Sequence, residues 1–298
     1  MPDIGVLICG HGSRDPKGAR EFAVLADRIA GRFRHWTFAH GFLEFAEPTI
    51  EDGLKRLMDA GAKTVIAVPA LLFAAKHAKQ DIPALLRTHL PPGIELRYAE
   101  PLGFDPRMLR AAADRIEEAE AGTTNVARGD SLLLVSGRGT TDADANHDLV
   151  RFSQMLSAGM EFGRSETCYA GIAEPQTATA LDRAVKLGYR RIVVMPYFLF
   201  NGTLVERVHT AADEAVRRHP SVEIVKASYL NDHPLIVETF SERIIAALEG
   251  PEQEHDHHHH DHAHDHDDDD EWHVHAPGGS YYLDDVFSLA PRKRAGAR

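Results

Sequence analysis

Three side chains near the start of the chain have types and spacing that suit metal chemistry. His11 stands in Gly10-His11-Gly12-Ser13-Arg14-Asp15 and Glu44 in Phe42-Leu43-Glu44-Phe45-Ala46-Glu47-Pro48. His77 stands in Leu72-Phe73-Ala74-Ala75-Lys76-His77-Ala78-Lys79. Each lies just beyond an apolar run of strand length. Two imidazoles and a carboxylate suit a borderline divalent ion such as Co, Ni, Fe or Zn better than Mg or Ca. Neutral imidazole is also a base with a pKa near 7. Each residue alone also reads as an ordinary polar loop residue. Glu47 has two readings. A Glu-Pro pair at a helix start favours the helix dipole and sets the first turn; the same carboxylate can contact a ligand.

The elements that must position these groups alternate regularly. Apolar runs predict strands over 4–9, 37–43, 64–68 and 94–98. Amphipathic stretches predict helices over 17–33, 49–60, 80–89 and 106–120. Pro48 and Pro106 are expected in first helical turns. This βαβα order implies a parallel sheet covered on both faces. In the strand order 2-1-3-4, the first and third strands are neighbours, so His11 and His77 open onto one crevice at the carboxyl edge. That edge is where open α/β sheets bind ligands. Glu44 ends the second strand, on the other side of the first. The apolar loop after the third strand forms one wall of a flat, greasy pocket.

The second half repeats the first. Gly10 to Asp15 returns as Gly137-Arg138-Gly139-Thr140-Thr141-Asp142, and Val65-Ile66-Ala67-Val68-Pro69 as Ile192-Val193-Val194-Met195-Pro196. Phe42 to Pro48 returns as Tyr169-Ala170-Gly171-Ile172-Ala173-Glu174-Pro175, and all three matches share an offset of 127 residues. Asp105-Pro106 against His233-Pro234 needs 128, one residue more. The reading is a duplicated α/β unit: 1–122, 130–249 and a tail over 250–298. Glu47-Pro48 is kept as Glu174-Pro175. The chemistry is not: His11 pairs with Arg138, Glu44 with Gly171, and His77 with Leu204. The metal-competent groups belong to the first half alone. Arg138 puts a fixed cation where the second half would carry a histidine, a possible carboxylate clamp alongside Arg14, Lys76 and Lys79.

These ordered motifs resemble the class II tetrapyrrole chelatases, nearest to the long, two-domain type that acts on sirohydrochlorin. The resemblance covers about residues 4–248. It implies two chelatase-like domains, each a four-stranded parallel sheet with helices on both faces, and an active-site cleft between them. It further implies ATP-independent insertion of Co²⁺ into sirohydrochlorin, towards cobalamin, with Ni²⁺ or Fe²⁺ as other substrate metals and no organic cofactor. Carried over, His11 and His77 are metal ligands, with His11 also a proton acceptor. Glu44 is a further catalytic group, and Leu72, Phe73, Ala74, Ala75, Lys76 and Glu47 are substrate contacts. Many relatives carry another histidine where this chain has Ala74-Ala75. The alternatives are iron insertion into the same macrocycle for siroheme and a non-enzymatic store or chaperone of divalent metal. A store does not require two histidines above one apolar pocket.

Composition bounds the rest. The 298 residues carry a net charge of −12, but residues 251–272 hold ten Asp or Glu and no Lys or Arg, so the body is nearly neutral. Nothing suggests a nucleic-acid surface. No apolar run reaches the ~18 residues of a membrane span, and no signal pattern opens the chain, which reads as cytoplasmic and as a monomer with pseudo-dimeric halves. Cys9 and Cys168 read as reduced thiols. Residues 255–275 contain ten of the nineteen histidines, among them His257, His258, His259, His260, His262, His264 and His266. Such a tract cannot bury a core and is expected to be disordered without metal. Its imidazoles and carboxylates suit a loose accessory site for several divalent ions.

Overall fold

The computed structural model describes residues 3–73, 75–250, 273–276 and 279–282, with backbone alone at 76–79 and in the last two segments. The first half runs β1 (Ile4–Gly10), α1 (Pro16–Ala30), β2 (Thr37–Phe42), α2 (Ile50–Asp59), β3 (Thr64–Pro69), α3 (Lys76–His89), β4 (Glu95–Tyr98) and α4 (Pro106–Glu120). The second runs β5 (Ser131–Gly137), α5 (Ala143–Gly159), β6 (Arg164–Tyr169), α6 (Thr177–Lys186), β7 (Arg191–Pro196), α7 (Thr203–Arg218), β8 (Glu223–Lys226) and α8 (Pro234–Glu249). Two parallel sheets result, in the orders β2-β1-β3-β4 and β6-β5-β7-β8. A small antiparallel hairpin, β9 (His273–Ala276) with β10 (Gly279–Tyr282), follows. The accessory histidines from His257 to His266 lie outside the described residues.

Strand residues are buried on both faces, which is why they read as unbroken apolar runs. Leu7 and Cys9 join the layer holding α2 and α3, while Val6 and Ile8 face α1. Three expected boundaries shift. α1 stops at Ala30 rather than 33. Arg32 N donates to Ile29 O and Phe33 N to Ala30 O, so the chain tightens there, and Phe33 stacks on Trp36 and Phe38. Pro48 lies outside its helix: Thr49 is the N-cap of α2 and forms a reciprocal capping box with Asp52. α3 begins at Lys76, not at 80, and carries Pro83 inside it. His77 therefore sits within the first helical turn rather than ahead of it.

The last helix of each half covers the other half's sheet. α4 packs on β7 and β8, and α8 on β3 and β4. Arg243 on α8 donates from Nε to Pro101 O and from Nη2 to Leu102 O, both at 2.8 Å. Arg115 on α4 donates from Nη2 to Leu230 O at 3.1 Å. Loops cross as well. Phe73, after β3, meets Phe152 on α5 with ring centroids 6.2 Å apart, and its duplicate Phe200, after β7, meets Phe22 on α1 at 5.5 Å. One apolar core consequently runs through both halves. The carboxyl edges of the two sheets meet where Asn201 N donates to Glu21 of α1.

Candidate functional site

His11 follows the last residue of β1, and Gly12 lets the chain turn with φ at +102°. A Cβ on Gly12 would stand 1.7 Å from the Glu44 carbonyl oxygen, so only glycine fits. Two backbone hydrogen bonds then tie this loop to the one after β2: Leu43 N donates to Gly10 O (2.9 Å) and Glu44 N to His11 O (3.0 Å). The side chains follow. His11 Nδ1 lies 3.3 Å from Glu44 Oε1, with 32% and 46% of the two side chains exposed, so the pair is open to a ligand. Strand order placed Glu44 across β1 from His77, and the structure brings it against His11, which follows β1 itself.

Phe45 completes the cluster, and sequence reasoning passed over it. Its ring lies nearly parallel to His11 (12°, centroids 6.3 Å apart), and the Arg14 guanidinium stands over it at 4.7 Å. The one available signal was an aromatic side chain in a loop where a polar residue is usual. Arg14 also lines a cleft of about 520 Å³ between the start of α1 and α7, with Asp15, Thr203 and Arg207 on its walls.

The remaining expected residues distribute unevenly. The backbone puts His77 just beyond β3, which pairs with β1 in parallel register, so both histidines belong to one sheet edge. The imidazole of His77, the side chain of Lys76 and Ala74 lie outside the described residues. Ala75 is the N-cap position of α3 and supplies no side-chain cap. Leu72 is half-buried against the core, and Phe73 sits among Phe104, Phe152 and Tyr197. Phe73 thus holds the loop to the other half as well as shaping its wall.

Glu47 and Glu174 share a sequence motif but not a role. Glu174 accepts from Gln176 N at 2.8 Å, whereas the capping box of α2 leaves Glu47 exposed, with no hydrogen bond among the described residues. Arg138 is exposed at the position equivalent to His11, and its carbonyl accepts from Gly171 N at 2.8 Å. A Cβ on Gly171 would meet that carbonyl at 2.4 Å, so the position opposite Arg138 cannot carry a glutamate in this backbone. Cys9 and Cys168 are buried and unpaired. Burial pushes the Cys9 thiol up and that of Cys168 to about 11, which keeps both protonated at neutral pH. Among the described residues no three His, Cys, Asp or Glu side chains converge on one point. No described helix is long and apolar enough to cross a membrane.

Residues 5–119 and 132–247 each match the family model described as CbiX, and together they take in both sheets. The chain belongs to the CbiX family. It is similar to a protein of Priestia megaterium named sirohydrochlorin cobaltochelatase, 32% identical over 82% of this chain and 80% of that one. It is also similar to one named sirohydrochlorin ferrochelatase from the same organism, 31% identical over 85% of this chain and 93% of that one. Among solved structures, the sirohydrochlorin chelatase SirB from Bacillus subtilis subspecies spizizenii, in complex with cobalt, superposes with a TM-score of 0.71. That match has 26% identity and covers 85% of this chain and 98% of that one. CbiX-family membership accounts for the duplicated α/β fold; names for cobalt and iron insertion both occur among the relatives.

Proposed function

We propose that this protein inserts a divalent metal, Co²⁺ foremost, into sirohydrochlorin without ATP. The observation that carries the reading is the confinement of His11, Glu44 and Phe45 to one half of a duplicated fold. The equivalent loops of the other half keep the glycines and the backbone hydrogen bonds but hold Arg138, Gly171 and Ile172.

The reaction replaces two pyrrole N–H protons by one M²⁺ and releases two protons. With Nδ1 turned to Glu44, His11 offers Nε2 to the incoming metal, and the carboxylate fixes the orientation of the ring. His77, from the same edge, is the second ligand. Two imidazoles with open positions hold an ion that can still leave, as a closed four-ligand cage would not. Once the metal has passed to the macrocycle, His11 and Glu44 are the bases that take up the released protons. Leu72 to Lys76 and Glu47 border the macrocycle, and Arg14 and Arg138 meet its carboxylates. The His/Asp tract around His257–His266 serves as a loose reservoir for the metal. The protein acts as a cytoplasmic monomer whose halves stand in for two subunits.

Iron insertion for siroheme is the second reading, favoured by the ferrochelatase name among the relatives. Purified protein, sirohydrochlorin and each metal in turn, followed by macrocycle absorbance, tests both. Co²⁺ is expected to enter faster than Fe²⁺, and His11→Ala to fall to the uncatalysed rate. Faster entry of Fe²⁺ makes the protein a ferrochelatase, and an H11A protein as fast as its parent removes the site assignment.

A further inference from the structure

Phe45 is the sole aromatic residue in the exposed class among the described residues, with 52% of its surface open. Its backbone is left-handed, φ +65°. That region is costly for a bulky residue and persists only where the surroundings impose it. Among the described residues, the other non-glycine residues with positive φ are Glu161, just past the C-cap of α5, and Asn231, a type that tolerates the conformation.

The duplicated fold supplies an internal control. Ile172 occupies the position equivalent to Phe45, at the tip of a loop tied down by the same two backbone hydrogen bonds, Ala170 N to Gly137 O and Gly171 N to Arg138 O. Ile172 is 72% exposed, yet its φ is not positive. The repeat alone therefore does not demand the strained backbone at position 45. It occurs in the half that carries His11 and Glu44, where it turns an apolar ring parallel to the His11 imidazole and beneath the Arg14 guanidinium.

We propose that Phe45 is a substrate-contacting residue whose ring packs against the conjugated macrocycle beside His11, with Arg14 above it pairing a peripheral carboxylate. This rests on the tetrapyrrole reading above and adds to it the residue that sets the plane of the ring system at the metal site. Aromatic faces favour flat partners, and a guanidinium over the ring adds cation–π attraction while its edge remains free for a carboxylate.

The test uses the full chain and three readouts: melting temperature, the dissociation constant for metal-free sirohydrochlorin and the KM for Co²⁺. Phe45→Ala and Phe45→Gly both remove the ring, and both are expected to weaken macrocycle binding at least tenfold while the KM for Co²⁺ stays unchanged. Phe45→Trp is expected to keep binding within threefold. Because glycine relieves the left-handed backbone and alanine does not, F45G is expected to melt about 2–4 °C above F45A. A residue with a merely structural role would give melting differences with no change in macrocycle affinity. If the parent binds the macrocycle and F45A binds it equally well, the inference fails alone. If the parent does not bind it, the chelatase reading fails first and takes this inference with it.

Discussion

Arg115 and Arg243 stand at equivalent positions of the two repeats and reach across to equivalent carbonyls, those of Leu230 and Leu102. The two contacts are not of equal weight. Arg243 is 5% exposed and also pairs with Asp105, itself 2% exposed, with Nη1 3.6 Å from Oδ2. Arg115 has one cross-half carbonyl and an exposed partner, Glu118. Arg243→Leu should therefore cost about 3 kcal/mol, because it strands two carbonyls and takes from buried Asp105 one of its two arginine partners, Arg107 remaining. Arg115→Leu should cost about 1–2 kcal/mol. Calorimetric unfolding of both variants checks the order, and a larger loss for Arg115→Leu would contradict it.

Gly12→Ala places a methyl group against the Glu44 carbonyl at a backbone angle that alanine resists. We expect a loss of about 3 kcal/mol together with a reduced insertion rate per folded molecule, because Glu44 must move away from His11. Gly139→Ala is the matched control. Its Cβ would meet Tyr169 and Ala173 at 2.7 and 2.8 Å, so it too should destabilise, but with the rate per folded molecule intact.

Glu44→Gln keeps the shape of the contact to His11 and removes its charge. Metal affinity should fall by about 10–100-fold, the usual effect of losing a carboxylate behind a ligating imidazole, with little change in melting temperature. Isothermal titration with Co²⁺ measures it. An unchanged affinity would show that Glu44 does not tune His11.

Acid should loosen the seam between the halves. Burial opposes ionisation of Asp114, but His233, 3.3 Å away on α8's N-cap, and Arg110 hold its carboxyl below its ordinary value of 3.8. A carboxylate with a lowered folded pKa stabilises above its unfolded value, and that contribution is lost as pH falls through the folded one. Melting temperatures between about pH 5 and 2.5 should drop more steeply for the parent than for Asp114→Asn. Parallel curves would remove Asp114 from the account.

Deleting residues 252–275 should leave the rate at saturating Co²⁺ intact and slow it when metal is scarce. Rates across a buffered metal series decide this, and equal loss at all concentrations would make the tract structural.

The repeat was legible because glycines, prolines and strand cores obey the same local rules in both halves; the offset of 127 exposed it. The first-half bias of His11 and Glu44 followed from the same comparison, and the strand order from the doubly wound βαβ pattern. The exchange of α4 and α8 was not legible. An apolar helix face says that it will be buried, not against which sheet. The start of α3 was missed because Ala75 gives no capping side chain and Pro83 suggests a later beginning. The left-handed turn at Phe45 was missed because no local preference favours it. The closeness of His11 and Glu44 was hidden because it depends on a carbonyl occupying the space that a Gly12 side chain would fill.

The exchanged helices bear on how a flat, rigid guest is admitted. Two lobes on a simple hinge can gape like a jaw. Here any such swing would drag α4 across β7 and β8 and α8 across β3 and β4, breaking the arginine latches on both sides at once. Close-packed layers resist that kind of shear. The body is a stiff frame, so under the proposed function passage of the macrocycle in and of the metallated product out would fall to the loops along the carboxyl edges.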